Sequence, residues 1–286
     1  MRRFKDRLAY LLGLVCIVIA VVPLASIIVE VVRNGISTIN WNFLTSITTF
    51  TIGTQSAGGI GPAIQGTLLI LGLTCLIGLP PGVMAGIFLS EFGDNQLGRS
   101  IRFLNDVFTE VPSIVVGVLI SVILVVPTRS FSPYAGAIAL AIIMVPIATR
   151  TTEESLKLVP NSIRDAASAL GIRRWRSTLS ILLTSAKGGI ATGILLSIAR
   201  VSGETAPLLL TIFGSNFFFS GCQPSQSCPI DALPLRIFTD AFKLEGPAAV
   251  QQAWGAALVL IGIVLSLNIV IRLATRGKYN AARTRF

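Results

Sequence analysis

Arg200 and Glu204 sit where charge is costly, in the otherwise apolar run Leu195-Leu-Ser-Ile-Ala-Arg-Val-Ser-Gly-Glu-Thr-Ala-Pro-Leu-Leu-Leu210. An ionised side chain at the centre of a membrane helix costs about 2.5–3.5 kcal/mol on insertion scales. Four residues apart, the two share a helix face and can pair. Pro207 frees the carbonyl of Gly203, so these two residues predict a bend or local unwinding beside the charges. Irregular backbone at membrane depth belongs where it lines a cavity. The planar fork of Arg suits phosphate or carboxylate. A lone Arg would release an oxyanion slowly; a neighbouring Glu offsets that attraction and holds the guanidinium in place. The chemistry indicated is transient passage of an anion. The competing reading is an ion pair that only locks helices together.

Other reactive residues are sparse. The chain has no His, which removes His triads, His metal sites and His pH sensors. No metal site is expected. Gly58-Gly59-Ile60-Gly61 is not a phosphate loop, because no Gly-Lys-Ser/Thr follows. Cys222 and Cys228 lie in one long connection, where a disulfide is favoured over two free thiols. Closing so short a loop would contribute about 2 kcal/mol. Cys16 and Cys75 fall inside apolar runs and read as small hydrophobes.

The elements that must hold these residues follow from composition. Of 286 residues 52% are hydrophobic and 13% charged, against about 25% charged in soluble domains. Mean hydropathy is +0.78. The reading is an all-α integral membrane protein, a single domain over 1–286. Six runs can cross the hydrocarbon as helices: about 8–29, 62–90, 111–128, 132–149, 184–214 and 251–271. The first is long for a cleaved signal peptide. Of 23 Lys and Arg, 18 fall on the side holding both termini, 4 on the other and Arg200 within a span. The positive-inside rule makes both termini cytoplasmic. That also accounts for the net charge of +10 without nucleic acid.

The cytoplasmic segment 150–183 is more than a linker. Asn161 or Ser162 can cap a helix, with Asp165 placed for a capping box. Ile163, Ala166, Ala167 and Leu170 recur at helical spacing, and Gly171 is a natural stop. Small residues let another surface approach closely, so a docking helix for a cytoplasmic partner competes with an interfacial helix resting on the bilayer. Arg173, Arg174, Trp175 and Arg176 form a basic-aromatic band suited to the membrane interface.

Asp165-Ala-Ala167, Gly171 and Ile181-Leu-Leu183 together resemble the EAA signature of ABC-importer permeases, with Asp in place of Glu and no Pro after Leu183. The missing Pro predicts a weaker kink, or one moved to Gly188-Gly189. Ala199-Arg-Val-Ser-Gly-Glu-Thr-Ala-Pro-Leu-Leu209 is similar to the Gly-Glu-Thr-Ala-Pro run of the A-type subunit of phosphate-specific ABC importers, the PstA family. Gly61-Pro-Ala-Ile-Gln-Gly-Thr67 and Glu110-Val-Pro-Ser-Ile-Val-Val-Gly117 extend the likeness, which spans roughly 60–275.

The resemblance implies a type I ABC importer permease fold and half of a phosphate translocation pathway worked by alternating access. It implies Arg200, Gly203, Glu204, Thr205 and Pro207 along the substrate pathway, and Asp165, Ala166, Ala167 and Gly171 coupling to an ATPase. It also implies a C-type permease subunit, a cytoplasmic ATPase dimer carrying ATP and Mg, and an extracytoplasmic phosphate-binding protein. The chain is not expected to be catalytic or to bind a cofactor itself, and its place is the bacterial inner membrane. The residues alone also allow a stand-alone carrier or channel, a membrane enzyme, or an assembly scaffold.

Overall fold

A computed structural model describes residues 2–49, 58–221, 227–242 and 247–283. Among them every regular element is helical, apart from one bridge pairing between Phe213 and Ile230. Helix α1 (Arg2–Gly35) leads through α2 (Trp41–Thr45) to α3 (Gly61–Phe92). Helices α4 (Gln96–Glu110) and α5 (Ser113–Ile120) follow, then a π turn (Ser121–Val125), α6 (Val126–Thr128) and α7 (Pro133–Lys157). The chain continues with α8 (Asn161–Ala169), α9 (Arg174–Ser177), a second π turn (Thr178–Leu182) and α10 (Leu183–Ser202). Helices α11 (Ala206–Thr211), α12 (Leu233–Phe242) and α13 (Pro247–Arg283) complete the order.

Five helices among the described residues are long and apolar enough to cross a membrane, and a sixth crossing is available if α4 and the α5–α6 stretch count as one broken span. The centre is the α3–α7 pair. Gly78, Gly82 and Gly86 repeat every fourth residue on α3. A Cβ at each would lie 3.3 Å from Ala141 Cα, 2.8 Å from Ala148 Cβ and 2.6 Å from the Thr149 carbonyl oxygen. Small residues at this spacing let two backbones meet closely, the main source of helix adhesion in lipid. Ile70, Leu140, Met144, Val201 and Ile212 fill the core around that seam. At the margin α1 packs on α13, and most of its apolar surface is exposed.

Several elements differ from the sequence expectation, each for a local reason. The third apolar run has a partner in front of it. Amphipathic α4 carries Leu97, Ile101, Leu104 and Phe108 on one face and meets the next stretch at 99°. Pro112 forces the bend, because the residue before a proline avoids the helical region; Val111 is extended, with φ −67° and ψ 126°. Helix α7 continues past residue 149 to Lys157. The long connection after residue 214 holds α12, inserted against α3: a Cβ on Gly66 would lie 1.9 Å from the Asp231 carbonyl oxygen.

Candidate translocation site and docking face

Helix α10 ends at Ser202 and α11 begins at Ala206, so the chain is broken at residues 203–205, beside the charged pair. The cause is the one expected. Pro207 stands in the first turn of α11, where its missing N–H is harmless. The break is walled by close packing. A Cβ on Gly117 would lie 2.7 Å from Pro207 Cα, and one on Gly136 would lie 2.7 Å from Ile212 Cγ2. Thr205 Oγ1 reaches the Pro234 carbonyl at 3.5 Å, which sets the start of α12 against the break.

The Arg200 guanidinium donates to Glu204 Oε1. The two are unequally placed: the Glu204 side chain is 8% exposed and that of Arg200 58%. The carboxylate is fixed behind, while the cation projects from the surface of the chain. Both partners lie on one stretch of backbone, four residues apart. Ala199 lines one end of a groove of about 520 Å³ between α10 and α13. Thr192, Leu196, Asn268 and Arg272 line it as well. Gly203, Glu204, Thr205 and Pro207 are brought together with Arg200. Among the described residues no cluster of His, Cys, Asp or Glu could hold a metal.

Cys228 is buried and disulfide-bonded, and Cys222 lies outside the described residues. Cys16 and Cys75 are free thiols.

The docking segment is a defined helix. Its N-cap is Pro160, with no side-chain cap bond, which corrects the expected role of Asn161, Ser162 and Asp165. Pro160 already holds the extended backbone that a helix entry needs, with φ −57° and ψ 142°. The exit is as expected. Gly171 has φ +69°, Ile172 N–H donates to Ala167 O at 3.1 Å and Gly171 N–H to Ser168 O at 3.0 Å. This is a Schellman ending, and it needs a residue without Cβ. Of the residues expected to couple to an ATPase, Asp165, Ala166 and Gly171 are exposed, and Ala167 is buried against the body. Leu170 is also exposed. The expected kink at Gly188-Gly189 is absent, since α10 runs unbroken through both. The irregularity is the π turn Thr178–Leu182, within the stretch that ends the EAA-like pattern.

Sequence reasoning passed over three sets of residues. Glu91, just beyond the second apolar run, is buried and accepts from Arg164 at 2.9 Å. Glu153 accepts from Arg102 at 2.9 Å and Lys157 at 2.6 Å. Arg236 and Asp240 form a buried pair at 2.8 Å, and Arg236 also donates to Asn216 at 3.1 Å. The last pair carries the same i, i+4 signal as Arg200 and Glu204, in a segment read as a loop.

Residues 82–277 match the family of binding-protein-dependent transport system inner membrane components. The "Phosphate transport system permease protein PstA" of Yersinia pestis is 41% identical over 274 residues, covering 95% of this chain and 90% of that protein. The "Probable phosphate transport system permease protein PstA" of Methanocaldococcus jannaschii is 39% identical over 277 residues, covering 96% and 95%. Among solved structures, a bacterial ABC transporter for import of alginate aligns at TM-score 0.62 with 16% identity, covering 95% of this chain and 99% of that one. The MetNI methionine ABC transporter, in an inward-facing crystal form, aligns at TM-score 0.58 with 17% identity over 77% of this chain and 94% of that one. The fold is thus that of ABC importer permeases, a multi-pass membrane architecture, and the chain belongs to the binding-protein-dependent transport system inner membrane components, among the PstA permeases.

Proposed function

We propose that this chain is the membrane permease subunit of an ATP-driven inorganic phosphate importer and forms half of its translocation pathway. The observation that carries the reading is the placement of Arg200. It projects from the last turn of α10, beside a helix break in an apolar span, with its partner Glu204 buried in that break. The exposed guanidinium offers a passing oxyanion two parallel N–H donors, and Glu204 keeps the attraction weak enough for release. Gly203, Thr205 and Pro207 shape the break. The PstA names of the relatives support phosphate as the anion.

The rest of the assembly follows from the family. Asp165, Ala166 and Gly171 form the surface that meets a cytoplasmic ATPase, which carries ATP and Mg, and Ala167 seats that helix on the body behind them. Closure of an ATPase dimer moves α8, and the pathway alternates between its two openings. A related C-type permease supplies the other half of the pathway, and an extracytoplasmic phosphate-binding protein delivers the anion. The chain is one permease domain of six spans with both termini cytoplasmic. Cys222 is the disulfide partner of Cys228 on the outer side.

The test is labelled phosphate uptake into vesicles carrying the reconstituted complex, with sulfate as control. ATP-dependent phosphate uptake is expected for the wild type. Arg200→Gln is expected to abolish it while the complex still assembles. Uptake without ATP would make the protein a secondary carrier. Equal uptake by both forms would leave Arg200 and Glu204 without a pathway role.

A further inference from the structure

The inner end of α3 is held by three arginines from three other elements. Arg102 of α4 donates to the carbonyls of Leu89, at 2.8 Å, and Gly93, at 3.0 Å. Arg174 of α9 donates to the Glu91 carbonyl and stacks over the Phe92 ring at 5.1 Å. Arg164 of α8 donates to the Glu91 carboxylate at 2.9 Å. The last carbonyls of a helix have no partners of their own and carry partial negative charge, so cations are favoured there. Arg164 also donates to Leu156 O at 2.9 Å and Val159 O at 2.7 Å, which fixes it to the end of α7. The docking helix is thus bolted to α3 through a buried acid.

The other end of α3 meets the helix break. Thr67 Oγ1 accepts from the Leu233 N–H at 2.8 Å, at the start of α12. The Thr205 hydroxyl, one residue from Glu204, reaches the carbonyl of Pro234, the residue after Leu233, at 3.5 Å. Thr67 and Glu91 stand about 36 Å apart along α3 at the standard helical rise. Between them the Gly78, Gly82 and Gly86 seam presses α3 onto α7 across the stretch that holds Pro80 and Pro81, where close contact with α7 takes the place of the helix bonds the prolines cannot make.

We infer that α3 is the rod that carries the movement of the docking helix to the Arg200–Glu204 break, with Glu91 as its positioning residue at one end and Thr67 at the other. The inference rests on α8 being the ATPase docking helix. A chain of packed and hydrogen-bonded elements can carry coupling only if its ends respond to one another, so the test measures that directly.

The experiment is a double-mutant cycle in the reconstituted complex, using Glu91→Gln, Thr67→Val and the two together. The readouts are ATPase copurification, ATP hydrolysis rate and phosphate transported per ATP. Each single variant is expected to keep the ATPase bound and hydrolysing, while phosphate per ATP falls about fivefold or more. The double variant is expected to be no worse than the weaker single one. Sites this far apart on independent elements act additively, so multiplied losses in the double variant would overturn the relay. Unchanged phosphate per ATP in either single variant would overturn it too. Arg164→Lys covers a folding failure of Glu91→Gln, because it keeps a cation near the acid with fewer donors. Loss of assembly in both Glu91→Gln and Arg164→Lys would make the contact a structural clamp and remove its part in coupling. A wild-type chain that retains no ATPase would overturn the docking reading, and the relay with it.

Discussion

Two Arg–acid pairs of identical spacing face different surroundings, and they should fail differently. Arg236 and Asp240 are both buried, at 8% and 2% exposure. Removing one partner of a buried pair costs about 3–5 kcal/mol, because the other charge keeps its desolvation cost and loses its counter-charge. Arg236→Met is therefore expected to lower the thermal unfolding midpoint of the purified complex sharply. Arg200 is more than half exposed, and Gln keeps an N–H donor for the buried Glu204, so Arg200→Gln should lower that midpoint less than Arg236→Met does, while removing uptake. A third residue tests the docking helix. Gly171 holds φ +69°, a conformation that costs a Cβ-bearing residue about 1–2 kcal/mol. Gly171→Ala should raise amide hydrogen exchange across residues 161–171 and leave exchange in α3 unchanged.

Among the elements, the α3–α7 seam sets the most exacting packing. A Cβ on Gly86 would meet both Thr149 O and Thr152 Cβ at 2.6 Å, whereas one on Gly72 of the same helix meets nothing within 4 Å. Gly86→Val is expected to destabilise the complex by about 1–3 kcal/mol through overpacking. Gly72→Ala should be neutral or slightly stabilising. Thermal unfolding of both variants checks the contrast. The same comparison shows what was legible in the sequence. Apolar length marked the long helices, and Gly203 with Pro207 marked the break, because both signals are local. The seam was missed because its glycines sit in a uniformly apolar run that has no polar face to set off. Helix α4 was missed because its charges interrupt the apolar run that a search for spans follows. Helix α12 was missed because its burial comes from Phe43, Ile60, Ala63 and Ala256, all far from Leu233 in sequence. Glu91 was passed over because a charge at the end of a span usually marks only the edge of the membrane.

Taken whole, the molecule is strongly asymmetric from one end to the other. Arg102, Arg164 and Arg174 gather at one end of the bundle with Glu91 and Glu153. The opposite end combines aromatic packing, such as Phe131 stacked on Phe213 at 4.9 Å, with the buried Arg236–Asp240 pair of α12. The excess of cations on one side was readable from the sequence, but not the fact that three of them converge on a single helix end. If that end is cytoplasmic, a cysteine introduced after Phe286 should resist impermeant maleimide in intact cells and react after permeabilisation. The exposed apolar surface of α1 has a related meaning, since a helix so little covered by its own chain must be covered by lipid or by another subunit. The π turn Thr178–Leu182 bears on the history of the chain. A π turn holds one residue more than the α-helical path it replaces, so it can absorb a one-residue change of length without moving the helix beyond it. Deleting one residue there should return the segment to regular α-helix and keep α10 in register. Deleting one residue inside α10 would instead rotate Arg200 by about 100° relative to everything before the deletion. The helix that holds Arg200 thus tolerates a change of length at one place along it, and that place lies close after α8 and α9, a full span away from the Arg200–Glu204 pair.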